Sequence, residues 1–85
     1  MARRVNLQAV EAEIHDAVEG LVYSADPRRI ESEARLAIAT VLHRHGLGRS
    51  RVNVRRAGRE LLVDVQFPPG VPEVLRVRIG VGHQR

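Results

Sequence analysis

Residues 51–67, RVNVRRAGRELLVDVQF, alternate apolar and polar side chains on both sides of a glycine, and this leaves the segment few ways to fold. Val52 and Val54 precede Gly58; Leu61, Val63, Val65 and Phe67 follow it. Successive side chains of a strand point to opposite faces, so period two over this length predicts a β-hairpin with one buried face. Glycine tolerates the positive φ of a tight turn, and the expected loop is Ala57-Gly58. That loop sets Arg56 opposite Arg59, Val54 opposite Leu61 and Val52 opposite Val63, with the four apolar residues on one side. The other side then sets Arg55 against Glu60, Asn53 against Leu62 and Arg51 against Asp64. Each of the two resulting ion pairs contributes about 0.2–1 kcal/mol.

Two helices precede the hairpin. From Asn6 to Val22, the residues Leu7, Val10, Ile14, Val18, Leu21 and Val22 recur at helical spacing, and Asn6 suits the N-cap. Glu11, Glu13, Asp16 and Glu19 fill polar positions, the earlier ones placed to favour the helix dipole. Residues 23–25 are the expected connection. Asp26 suits the next N-cap and Pro27 the first helical position. Ile30, Ala34, Ala37, Ile38, Val41 and Leu42 form the stripe of this second helix. His43, Arg44 and His45 complement its C-terminal dipole, and Gly46 suits the position just past its end.

After Phe67 a Pro-rich connector leads to a third strand over residues 73–81. Leu75, Val77, Ile79 and Val81 are expected to point inward, Arg76 and Arg78 outward. The expected fold is therefore α+β: a two-layer sandwich of two helices on a three-stranded antiparallel sheet, in the order α-α-β-β-β. Residues 1–85 read as a single domain, with 1–4 and 82–85 as frayed tails. A chain of this length buries only about 60–65% of its unfolded surface, so its stability is expected to be modest.

Composition removes several function classes. Cysteine is absent, which excludes disulfides and thiolate metal sites. No apolar run reaches the length of a membrane span, and no signal peptide is visible, so a cytoplasmic protein without a membrane partner is expected. His43 and His45 diverge on a helix, and His15 and His83 lie elsewhere, so no metal and no cofactor is expected. Ser24, Ser32 and Ser50 lack a nucleophile elbow or an adjacent base, and the chain is not expected to be an enzyme. The segment from Gly46 to Ser50 follows a helix, whereas a phosphate loop opens one, so it reads as a helix stop.

Charge supplies the remaining signal. All fourteen basic side chains are arginine. Residues 1–45 hold six arginines against seven acids, and residues 46–85 hold eight against three, so the β half carries the positive charge. Arg51, Arg55, Arg76 and Arg78 are expected on the outer face of the sheet, where Leu62 and Val74 break the polar pattern. Exposed apolar residues among arginines suit a protein interface, where arginine is enriched. The expected function is a small interaction or assembly domain. It would dock a protein partner or a second copy through its sheet face or edge, as a homo-oligomer or as a subunit of a larger complex. The alternative is a nucleic-acid-binding module whose arginine face contacts phosphates. The expected partner-binding residues are Arg51, Arg55, Leu62, Val74, Arg76 and Arg78.

Residues 52–67 resemble the hairpin in the cytoplasmic domain of cation diffusion facilitators. That family continues into a helix with an acidic-His segment, whereas here a Pro-rich turn and a third strand follow, so no metal-regulatory role is carried over. The helix-then-hairpin order also resembles small wedge proteins of contractile phage baseplates, which implies an assembly role.

Overall fold

The computed structural model describes residues 6–22 and 28–80, the Val22 side chain excepted. Helix α1 spans Leu7–Val22 and helix α2 spans Ile30–Arg44. Strands β1 (Arg51–Ala57), β2 (Glu60–Gln66) and β3 (Val74–Gly80) form one antiparallel sheet in the order β1-β2-β3. Both helices lie on the same side of it, α2 against β1 and α1 against β3, and they also pack on each other. The two-layer α+β architecture is the expected one.

Local chemistry sets the element ends. Asn6 caps α1, its Oδ1 accepting the Ala9 N–H at 3.1 Å. The first turn of α1 carries no acid, so the expected early carboxylates do not complement its dipole. Helix α2 begins at Ile30 with Arg29 in the cap position and no side-chain cap, and Glu31 and Glu33 occupy its first turn. Asp26 and Pro27, expected to open this helix, lie outside the described residues, as do residues 23–25, Val81 and the two tails. At the other end of α2, Gly46 has φ 74° and donates its N–H to the His43 carbonyl at 3.0 Å. Leu47 donates to the Leu42 carbonyl at 2.7 Å and is buried, which completes a Schellman stop.

The hairpin keeps the expected faces but not the expected turn. Ala57 pairs with Glu60, so the loop is Gly58-Arg59 and Gly58 takes φ 63° at its first position. Val54 faces Val63 and Val52 faces Val65, while Arg55 faces Leu62, Asn53 faces Asp64 and Arg51 faces Gln66. The expected pairs Arg55–Glu60 and Arg51–Asp64 are therefore not formed. Magnitudes explain the outcome. A loop at 57–58 would hold Ala57 at positive φ, costing about 1–2 kcal/mol, and would set Arg56 against Arg59. Two exposed ion pairs return about 0.4–2 kcal/mol together, no more than the strain, and the Arg56–Arg59 repulsion tips the balance, while the observed register still gives Asp64 its pair with Arg76. Because the two registers differ by two residues, no side chain changes face.

Replacing Gly58 by Ala should cost about 1–2 kcal/mol through backbone strain and lower Tm by roughly 4–16 °C in a calorimetric scan. A Cβ at this position would meet no heavy atom within 4 Å, so packing contributes nothing to the change.

The core lies between the layers and is wholly aliphatic. Val10, Ile14 and Val18 of α1 are fully buried, as are Ala34 and Ile38 of α2 and Leu61 and Val65 of β2. Val54, Val63, Leu75, Val77 and Ile79 complete the sheet side, and Val52 and Phe67 pack at its margin. Among the described residues no polar or charged side chain is buried. One clamp ties the helices together at the surface. Glu13 of α1 accepts from His45 Nε2 at 2.9 Å and lies 3.9 Å from the Arg44 guanidinium, both at the C-terminus of α2.

Candidate functional site

The helices cover one side of the sheet and leave the other bare among the described residues. Alternation along each strand decides which side chains stand there, and the pairing sorts them into rows. Arg55, Leu62 and Arg78 form one row, Asn53, Asp64 and Arg76 the next, and Arg51, Gln66 and Val74 the third. All six residues expected to bind a partner share this face. Val74 is 53% exposed, Leu62 is half-buried, and the four arginines are exposed.

The charge arrangement differs from the expected lattice of ion pairs. Asp64 lies directly opposite Arg76 on the third strand, and its Oδ1 is 3.2 Å from Arg76 Nε. Arg51, Arg55 and Arg78 have no ion-pair partner among the described residues. Leu62 occupies the central position between Arg55 and Arg78, where an acid would have paired with both. Hairpin periodicity alone does not reveal this, because the third strand supplies one of the two flanking arginines. A shallow concavity of about 520 Å³ opens over Arg55, Leu62, Asp64, Arg76 and Arg78. A second, of about 340 Å³, lies over Arg51, Gln66 and Val74. Neither gathers a nucleophile beside a base.

The two edges of the sheet are treated differently. On β1 the Arg56 N–H donates to Glu31 Oε2 of α2 at 2.8 Å, so a helix side chain occupies an edge donor that a new strand would need. Among the described residues no strand pairs with the far side of β3, whose outer-face side chains include Arg76 and Arg78.

The described histidines do not converge as ligands; His83 lies outside the described residues. His45 is held by Glu13, and His43 is exposed at the end of α2. Among the described residues, potential metal ligands gather at His15, Asp16 and Glu19 of α1, with ligand atoms within 4.8 Å of one another. Asp16 and Glu19 are exposed, and His15 and Glu19 are an i, i+4 helix pair at 3.8 Å, which accounts for the grouping as surface charge. Ser50 donates to the Leu47 carbonyl at 2.7 Å and supports the loop after α2. Among the described residues no helix is long and apolar enough to cross a membrane. No family model matches the chain, and no curated protein or solved structure matches it significantly.

Proposed function

We propose that the protein is a non-catalytic docking module, working in the cytoplasm, that engages a protein partner through the outer face of its sheet. One observation carries this reading: Leu62, half-buried, stands on the outer face between Arg55 and Arg78, which have no ion-pair partner among the described residues. A face selected only for solubility and stability gains from an acid at that position, because the acid would have an arginine on each side. An aliphatic residue there gives up that gain and supplies apolar contact area instead. Arginines around an apolar centre match the composition of interfaces, where their stems add packing and their guanidinium groups bind carboxylates in a fixed geometry.

Self-association through this face is disfavoured by its charge, since two copies would oppose arginine to arginine. Light scattering should therefore report a monomer. The decisive experiment is reconstitution. A protein captured on the full chain is purified and rebound to wild type and to the double variant R55E/R78E. The variant should bind at least about tenfold more weakly, since reversing charges that meet a complementary partner costs several kcal/mol. Equal affinity for both would end the proposal.

A second reading is favoured by a specific observation. Arg51, Arg55 and Arg78, without acidic partners among the described residues, would be able to neutralise phosphates and make the face a nucleic-acid contact. Submicromolar binding to random duplex or single-stranded DNA at physiological salt would select this reading. So would an affinity that falls steeply with ionic strength and is lost in R55E/R78E. Binding no tighter than roughly 10⁻⁴–10⁻⁶ M is only the generic response of a basic surface.

A further inference from the structure

We infer that the outer face takes an acidic protein segment bearing an aliphatic anchor. The anchor rests on Leu62, and flanking carboxylates meet Arg55 and Arg78. This deepens the docking reading above and rests on it.

The row geometry supplies the recognition. Arg55 and Arg78 stand directly opposite Leu62 on its two neighbouring strands. Strands lie about 4.8 Å apart, so the two arginine backbones are roughly 10 Å from each other with the leucine between them. An aliphatic side chain seated there lies between two guanidinium groups, each able to grip a carboxylate through two parallel N–H donors. The apolar contact also excludes water from the flanking pairs, which strengthens attractions that are weak when fully solvated. The concavity over the row, about 520 Å³, has room for several side chains.

Other occupants fit less well. A second copy pairing through β3 about a twofold axis at Val77 would set Arg76 opposite Arg78, and like charges directly opposite destabilise a ladder. A nucleic acid crossing the face would carry phosphates over Asp64, which sits among the arginines, 3.2 Å from Arg76 Nε. No aromatic side chain stands in the three rows to stack a base, so the usual platform for single strands is missing. A protein segment avoids both difficulties, because it can place a neutral or basic residue over Asp64 while keeping its acids for Arg55 and Arg78.

The test is selection of a random peptide display library on the immobilised full chain, with R55E/R78E in parallel and far-UV circular dichroism confirming that the variant is folded. Enriched peptides should carry Asp or Glu on both sides of an aliphatic residue. Fluorescein-labelled copies of them should lose about tenfold or more in affinity on R55E/R78E. An oligothymidylate of about 20 nucleotides should bind more weakly than those peptides. Neutral or basic consensus sequences, equal enrichment on the variant, or no enrichment over the bare support would each overturn the acidic-segment assignment. The docking face itself would still be judged by reconstitution with its purified partner. Tighter binding of oligothymidylate, lost in R55E/R78E, would overturn the inference in favour of phosphate recognition.

Discussion

Leu61→Asp costs up to about 8 kcal/mol and should bring the largest loss of Tm, followed by far-UV circular dichroism, of any single substitution proposed for this chain. Leu61 is fully buried on the middle strand, near the hairpin end, opposite Arg56 on β1 and Ile79 on β3. Truncating such a leucine to Ala costs about 2–5 kcal/mol through lost burial and the cavity left behind. A carboxyl in the same place adds the cost of burying a polar group, about 1–3 kcal/mol, less what the exposed guanidinium of Arg56, opposite it on β1, returns. Native domains hold roughly 0.05–0.15 kcal/mol per residue, or about 4–13 kcal/mol for a chain of this length, so a sum of up to about 8 kcal/mol is a large share of the stability and exceeds it at the lower end of that range. Leu61→Ala is the graded control. A loss of about 3 kcal/mol should lower Tm by roughly 12–24 °C while the fold survives. A folded Leu61→Asp with near-native Tm would mean that the faces of β2 are inverted.

The same substitution one residue later should spare the fold. Leu62→Asp places a carboxylate between Arg55 and Arg78, one cross-strand partner on each side. Opposite-charge pairs of this kind contribute about 0.2–1 kcal/mol each, which roughly offsets the partial burial of Leu62 that is lost, so the variant should stay within about 1 kcal/mol of wild type. Its docking should nevertheless collapse. The apolar anchor is gone, two arginines become engaged within the domain, and the added negative charge repels an acidic partner. A loss of about 1.4 kcal/mol or more corresponds to at least a tenfold weaker Kd, read by calorimetry against the reconstituted partner. A domain of near wild-type stability that no longer binds would identify Leu62 as retained for contact. Unchanged affinity would mean that the partner sits elsewhere.

Much of the architecture was legible because the signals are local. Asn6 accepts the hydrogen bond expected of an N-cap, and Gly46 adopts the left-handed conformation that stops α2. Of the stripe Ile30, Ala34, Ala37, Ile38, Val41 and Leu42, all are buried as the spacing implied except Ala37, which is half-buried at its margin. The six partner-binding candidates share one uncovered face, because alternation along each strand sets side-chain direction without reference to the rest of the molecule. The hairpin turn falls one residue later than alternation and charge pairing predict, because the first loop position takes positive φ and Gly58 tolerates it where Ala57 would be strained.

What lay beyond the sequence concerns groups distant along the chain. Which acid meets which arginine depends on β3 lying beside β2, and that pairing turns Asp64 toward Arg76 and leaves Arg51, Arg55 and Arg78 without acids among the described residues. Glu31 reaching the Arg56 N–H and Glu13 reaching His45 likewise depend on how the helices sit on the sheet and on each other. Periodicity and capping chemistry act over a few residues and could be read directly from the order of amino acids. Register, edge protection and the surroundings of Leu62 were decided only when separate segments packed together, because many pairings satisfy the same hydrophobic pattern. The strain of one turn and the contacts of a third strand select among them.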